Sequence, residues 1–438
     1  MRYFLKNNQK MLIEFSVGNF LSFRDKKTLS LVAAGISEAK ESNVLETNRL
    51  SLLNGAVIYG ANSSGKSNFI KAMSTMRRIV LFSLQQQSVK TLDIKPFLLN
   101  TETESQPSFF EIVFETEGIR YRYGFEITNK EIVGEWLYET KKNADKLLYI
   151  RQNDGIEVTA SFKEGKDLES KTRNNALFLA VVDQFNGQIA KRIMKWFNSF
   201  ITISGLNHEM YQKVTFDMLE NKDYALMLNS FYEKLDLGFD RLKIEKVKFN
   251  PKELPEDMPE PVMKLMVKDL EGAFRYNIST THKQFNKNNE PIGEKEFDMR
   301  SQESAGTNKV FNLSGVLFDV LNNGGVLVVD ELDASLHPLL TRALTRLFNK
   351  KENNIKNAQL IFTTHDTNVM NSKNWHYRRD QIYFIEKDKY GASDLFSLAE
   401  YKEKDGSKIR KDRSFEPDYL QGKYGSIPVI GEIKVTFP

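Results

Sequence analysis

The chain is 438 residues long, and its 62 basic and 58 acidic side chains leave a net charge of +4, which by itself implies neither a nucleic-acid nor a membrane partner. With 40% hydrophobic and 27% charged residues it can bury a core and stay soluble; its longest apolar runs, such as 176–182, stop far short of the roughly 18 residues of a membrane span. Cysteine is absent, which excludes disulfides, thiolate metal sites and cysteine nucleophiles together and suits a reducing cytoplasm.

The first ten residues are short and basic, not an apolar signal segment. Residues 11–17 alternate as a first strand before a Gly18-Asn19 turn. Residues 52–59 read as a buried strand, and Phe69, Ile70, Met73, Met76, Ile79 and Val80 fall on one helical face after it. From about 107 the texture changes to short strands at 109–114, 121–127 and 132–138 with Gly or Asn turns between them, an antiparallel sheet added to the first lobe. Residues 172–235 are helical in pattern, with Ile189, Ile193, Trp196, Phe197 and Phe200 among the apolar positions. Residues 242–249, 262–269 and 274–279 return to strand-like pieces, broken by a proline- and acid-rich loop at 251–261, and 284–291 reads as an exposed hairpin tip. After 300 the α/β alternation resumes. Val310, Leu313, Leu317 and Leu321 make a helical stripe, a turn follows at 322–325, and 339–348 is a further helix; strands are expected at 326–329, 359–364 and 381–386. No internal repeat is present, and no sustained heptad pattern between 68 and 300 points to a long coiled-coil arm.

The strongest local signal is Gly60-Ala61-Asn62-Ser63-Ser64-Gly65-Lys66-Ser67, followed by Asn68, a full Walker A pattern between a strand and an amphipathic helix. The backbone N–H groups of such a loop converge on a phosphate, Lys66 reaches the β- and γ-phosphates, and the Ser67 hydroxyl serves Mg²⁺. Val326-Leu-Val-Val-Asp330-Glu331 supplies the matching Walker B strand, with Asp330 for Mg²⁺ and Glu331 to polarise the attacking water. His365 ends a further buried strand, where it contacts a γ-phosphate or orients water, or else caps the next helix. His337, beside Pro338, reads as structural, and His208, His282 and His376 form no metal-ligand spacing.

Together these motifs resemble the ABC-type ATPase head of SMC, RecF and DNA-repair ATPases: Asp330-Glu331, the D-loop-like Asp333-Ala-Ser335, and His365 as switch histidine. Gln302-Glu303-Ser304-Ala305-Gly306-Thr307 stands where the ABC signature belongs, departing from its Leu-Ser-Gly-Gly-Gln form. The alternative for this segment is a helix-entry loop capped by Thr307. The resemblance implies two heads sandwiching ATP, with Ser304 and Gly306 reaching the nucleotide of the opposite subunit. A Q-loop is not placed; Gln184 is the one candidate, against the alternative of an ordinary helix residue.

Over nearly the full length from Met11 the chain is similar to bacterial AAA ATP-binding proteins of abortive-infection and phage-defence systems. The opening 11–24, the block Ile94-Lys-Pro-Phe97, the stretch Asn175-Ala-Leu-Phe-Leu-Ala180 and the tail 419–428 carry that similarity to the ATPase parts of OLD-type, AbiL-like and PARIS-like systems. It implies a homo-oligomeric, cytoplasmic sensor ATPase using ATP and Mg²⁺, a separate effector such as a Toprim-type nuclease, and a phage-encoded trigger. Asp380, Glu386, Asp388 and Asp394 read as solvated surface acids and not as a fused nuclease, and 402–413 as a charged loop or docking face. The expected fold is α/β, an ABC-type P-loop head with an added antiparallel sheet and an inserted helical and β-rich subdomain. Its parts are expected at 1–106 (Walker A), 107–171 (β-rich), 172–300 (inserted) and 301–438 (signature, Walker B, D-loop and switch histidine). The competing function is a DNA-binding repair or chromosome-maintenance ATPase.

Overall fold

The computed structural model describes residues 9–47, 49–85, 92–141, 144–152, 155–251, 254, 258–270, 272, 274–370, 377–402 and 415–428. Contacts divide the chain into two compact units, Met1–Asn207 with Leu317–Pro438, and His208–Val316.

The first unit opens with β1 (Lys10–Gly18), β2 (Lys27–Ser30), the short α1 (Lys40–Asn43), β3 (Val44–Glu46), β4 (Ser51–Leu53) and β5 (Gly55–Tyr59), then α2 (Lys66–Phe82). The single buried strand expected at 52–59 is thus two. Asn54 ends one and its side chain donates to Phe348 O and Asn349 Oδ1, so the chain changes sheets there. The antiparallel run follows as β6 (Ser108–Thr116), β7 (Ile119–Ile127), β8 (Ile132–Thr140), β9 (Lys146–Gln152) and β10 (Gly155–Val158). β1 and β2 join it to make seven strands in the order β10-β9-β8-β7-β6-β1-β2. After the helices α3 (Phe178–Gln184) and α4 (Gln188–Asn198), the chain enters β11 (Phe200–Ser204).

β11 corrects the helical reading of this stretch. Phe200 continues the apolar stripe of α4, but Ile201, Thr202 and Ile203 are β-branched and favour an extended chain. β11 pairs in parallel with β15 (Val326–Asp330), which pairs with β16 (Gln359–Thr363). The whole sheet runs β11-β15-β16-β5-β17-β18, where β17 is Ile382–Lys387 and β18 is Ser393–Ser397, the one antiparallel member. Every residue of β5 and β16 is buried, as befits central parallel strands. The buried face of α2, with Phe69, Met73 and Met76, belongs to the same apolar cluster as both sheets; Phe15 of β1 meets Phe69 edge-on at 5.5 Å. Two further helices, α10 (Pro338–Asn349) and α11 (Phe415–Leu420), complete this unit.

The second unit contains α5 (Gln212–Leu219), α6 (Lys222–Leu235), a sheet of β12 (Arg241–Lys248), β13 (Phe274–Phe285) and β14 (Pro291–Asp298), and the helices α7 (Glu260–Leu270) and α8 (Met299–Gln302). The strand expected at 262–269 is α7; Pro261 sits at its second position, where a missing N–H costs nothing. The hairpin tip at 284–291 is as expected, joining β13 to β14. Helix α9 (Ala305–Asn323) carries the chain out of this unit. Among the described residues no helix is long and apolar enough to cross a membrane. The architecture is α/β, a mostly parallel sheet whose strand β5 leads into the phosphate-loop motif, with an added antiparallel sheet.

Candidate functional site

β5 ends at Tyr59 and the loop begins at Gly60, on the edge of the parallel sheet formed by strand carboxyl ends, where such sheets bind ligands. The loop turns through left-handed geometry at Ser63 (φ 64°) and Gly65 (φ 118°) before α2 starts at Lys66. A Cβ on Gly65 would lie 2.3 Å from Ser393 Oγ and 2.8 Å from Ser22 Oγ, so only glycine fits. Those two serines brace the loop from behind. Ser393 Oγ donates to Ser64 O at 2.6 Å and lies 2.8 Å from Ser22 Oγ, which accepts from Asn68 Nδ2 at 2.9 Å. Asn62 and Ser63 are exposed, Ala61, Ser67 and Asn68 half-buried, and Ser64 buried with its Oγ unpartnered among the described residues. The Lys66 ammonium curls over the loop, donating to Gly60 O at 2.7 Å and Ala61 O at 3.1 Å.

Two strands across, β15 ends at Asp330, and Glu331 turns away with φ 53°. Thr363, fully buried at the end of the intervening β16, fixes both acids: its hydroxyl donates to Asp330 Oδ1 and accepts the Glu331 N–H, each at 2.7 Å. Gly205, just after β11, donates its N–H to Asp330 O at 2.7 Å; a Cβ there would sit 2.2 Å from Glu331 O. Asp333 Oδ2 accepts the His365 N–H at 3.1 Å, and Asp333 Oδ1 is buried and unpartnered among the described residues. The His365 side chain itself is exposed, as is Ser335, while Tyr59 donates to Asp366 O at 2.9 Å.

Burial lowers the pKa of Lys66, and the charges of Glu331, Asp330 and Asp333 oppose that shift. Three carboxylates therefore bear on one ammonium at the loop's mouth. No group of three or more His, Cys, Asp or Glu side chains among the described residues makes a closed metal cage. The hard oxygens of Ser67 and Asp330, with the unpartnered Asp333 Oδ1 nearby in sequence, fit Mg²⁺, which keeps waters and phosphate oxygens among its ligands.

The structure brings Gly60–Asn68, Asp330, Glu331, Asp333, Ser335 and His365 into one unit, and the signature-like residues lie in the other. There Ser304, not Thr307, caps α9: Ser304 Oγ accepts the Thr307 N–H at 3.0 Å and lies 2.8 Å from Thr307 Oγ1. Ala305 is exposed, Gly306 half-buried and Thr307 buried. Gln184 is exposed at the end of α3 and, among the described residues, joins none of the site's hydrogen bonds. His337 is structural, its Nδ1 accepting the Leu339 N–H at 3.2 Å at the start of α10. Asp380 is not a solvated acid: it is buried and paired with Arg378 at 2.7 Å. Asp394 pairs with Lys27 at 2.6 Å, and Asp388 accepts from Tyr390 N and Ala392 N in a turn. His376 and the charged stretch 403–413 lie outside the described residues. Sequence reasoning passed over Thr363, Ser22, Ser393 and Gly205; Thr363 and Ser22 stood inside segments already singled out, but neither was given a role in the site.

Among solved structures, the SMC head domain from Thermotoga maritima is 15% identical over 88% of this chain and 98% of that one, with a TM-score of 0.39. Two structures of the recombination mediator protein RecF in the RecFOR pathway, RecF-ATPrS and RecF-ATP, are 13% and 15% identical over 89% of this chain and 99% of theirs, at TM-scores of 0.34 and 0.33. No curated protein matches the sequence. A family model matches residues 56–371, a span that runs from β5 and the phosphate loop through the acid pair and past His365. The chain belongs to that family, the AAA domains described as putative AbiEii toxins of type IV TA systems.

Proposed function

We propose that the protein is an ATP-binding and slowly hydrolysing switch, in which ATP closes two heads on each other and hydrolysis dependent on Glu331 reopens them. One observation carries this reading: the Gly60–Ser67 loop and the Asp330-Glu331 pair share one sheet edge, near enough for three carboxylates to act on Lys66. The loop N–H groups and Lys66 would hold the phosphates, a charge-assisted arrangement at a helix start. Ser67 and Asp330 would hold Mg²⁺, which when bound supplies charge neutralisation to the phosphates. Glu331 orients and deprotonates the attacking water, Thr363 keeps Glu331 and Asp330 apart and aimed, and Asp333 ties the His365 loop to the same edge. Ser304 and Gly306 serve the nucleotide of the second head.

The family description, a putative toxin of a type IV TA system, supports placing this switch in bacterial defence, where it senses a phage-encoded trigger and controls a separate effector such as a Toprim-type nuclease. Glu331→Gln is expected to trap ATP and raise the solution mass to that of a dimer, and Lys66→Ala to abolish both binding and dimerisation. ATP-free Glu331→Gln protein, together with unaltered hydrolysis in Lys66→Ala, would sink the site assignment. Copurification from the native operon, with mass measured with and without ATP, identifies the effector; steep salt-dependent duplex binding and no effector would favour a DNA-repair role instead.

A further inference from the structure

The second unit holds a cavity of about 500 Å³ whose wall includes His208, Gln212, Arg300, Glu303, Asn308 and Asn312. Four of these form one hydrogen-bonded relay. Arg300 Nη2 donates to Gln212 Oε1 at 2.8 Å, Gln212 Nε2 donates to Asn312 Oδ1 at 3.0 Å, and Asn312 Nδ2 lies 2.9 Å from His208 Nδ1. The direction of the relay follows from chemistry. A guanidinium can only donate, so Gln212 must offer it the carbonyl oxygen; its NH₂ group must then donate to Asn312, and the Asn312 NH₂ group to the imidazole. One tautomer results, with Nδ1 the acceptor and the hydrogen on Nε2. Burial, and after it the charge of Lys309, lowers the pKa of His208, in keeping with a neutral ring.

The interior of the relay is two buried amides, Gln212 and Asn312, and its two ends at the cavity wall are both donors. Two buried carboxamides are a demanding way to fill space, because each must be fully paired. Here their pairing orients an arginine and sets the tautomer of a histidine. Of the two carboxylates on the wall, Glu303 is bonded by Oε1 to Thr280 Oγ1 and His282 Nε2, and Glu209 is exposed to solvent. We propose that this cavity binds a small anion, its phosphoryl or carboxylate group held by the Arg300 guanidinium and the His208 Nε2–H. The site would give the inserted unit a ligand of its own, separate from the nucleotide at Gly60–Ser67.

The test uses the full chain carrying Lys66→Ala, which removes the cation of the phosphate loop. Pyrophosphate and succinate are titrated separately by calorimetry, and at least one is expected to bind at a single saturable site; which one does so tells phosphoryl from carboxylate. Adding Arg300→Gln or His208→Ala should weaken that binding by roughly tenfold or more, the scale of a lost charge-assisted hydrogen bond. His208→Gln, which restores an N–H donor, should recover part of it. Binding of neither anion overturns the proposal, and so does binding indifferent to both substitutions. Binding seen in the unaltered chain but lost with Lys66→Ala alone assigns the anion to the phosphate loop and overturns it equally. Should a variant fail to fold, imidazole ¹⁵N spectra of the Lys66→Ala chain decide: the binding anion must shift His208 Nε2 while Nδ1 stays unprotonated, and an unmoved resonance rules the site out.

Discussion

Thr363 has one hydroxyl and two obligations, to Asp330 Oδ1 and to the Glu331 N–H. Valine has the same shape without the oxygen, so Thr363→Val takes this acceptor from the half-buried Glu331 N–H and frees the Asp330 carboxylate to rotate. The expected cost is about 1–3 kcal/mol in urea unfolding. If the misaligned acids lose a similar amount in the transition state, turnover falls roughly tenfold or more. Thr363→Ser keeps the hydroxyl and should stay near the unaltered chain in both assays; equal loss with serine and valine would show that packing, not the hydrogen bonds, matters there. Lys66 gives a pH prediction. Its pKa is lowered mainly by burial, so the folded protein releases that proton at lower pH than the unfolded chain does. In the window between the lowered value and the ordinary lysine value the unfolded chain binds more protons, and stability rises with pH. ATP affinity should move the other way, because the phosphates need the ammonium: it falls as pH climbs through the lowered pKa. Lys66→Arg, charged throughout, should lose that alkaline limb in an ATP-binding titration. Lys66 and Asp330-Glu331 were legible because each belongs to a short, contiguous pattern. Ser22 and Ser393 meet across 371 residues of sequence, and nothing local marks them as partners.

At the scale of elements, α3 shows how a helix can be made by residues outside it. Its first residues, in Asn175-Ala-Leu-Phe-Leu-Ala180, are almost wholly apolar, and the N-cap Leu177 has no side chain to bond the free N–H groups. Glu135 of β8 does so from a distance: Oε2 accepts Phe178 N at 2.7 Å and Oε1 accepts Leu179 N at 3.1 Å, and Tyr123 and Tyr149 donate their hydroxyls to Oε1 at 3.0 and 2.6 Å. Glu135→Ala would strand four buried donors, and an unfolding cost of about 3 kcal/mol or more is expected from urea titration. Burial raises the Glu135 pKa, against the lowering effect of Tyr149 and the two N–H groups. The native state therefore keeps this proton to higher pH than the unfolded chain, and stability declines as pH rises from the usual carboxylate range through the raised value. Glu135→Gln should flatten that slope; an unchanged slope would assign it to another group. The opening of α3 could be quoted from the sequence, but its cap could not, since it comes from a strand 43 residues earlier. β11 and α7 were misread for a related reason. Five to eleven apolar-rich residues fit either period, and what decides is the context, pairing with β15 in one case and a proline in the first turn in the other.

For the whole molecule, the wide separation of Walker A from Walker B was enough to read one head in two halves, and the core sheet shows why the halves need each other. β5, the strand that launches the phosphate loop, has β16 on one side and β17 on the other, and both come from residues after 358. All five of its residues are buried, so a chain lacking those neighbours would expose an apolar strand with unpaired N–H and C=O groups on both sides. The order of the sheet was not legible, because parallel pairing between distant segments leaves no periodic trace in either one. This makes the dependence testable. The piece 1–207 carries the whole phosphate loop, and the piece 317–438 carries Asp330, Glu331, Asp333 and His365. Expressed alone, 1–207 should bind a fluorescent ATP analogue at least roughly a hundredfold more weakly than the full chain, about 3 kcal/mol, because its loop is neither braced by Ser393 nor held on a formed sheet. Coexpressed with 317–438, it should elute as a complex and recover part of that affinity, since the long connection is then replaced by association of the same strands. Full-strength binding by 1–207 alone would mean that the acids after β15 and the brace at Ser393 contribute nothing to nucleotide affinity, and the two-half site would have to be abandoned.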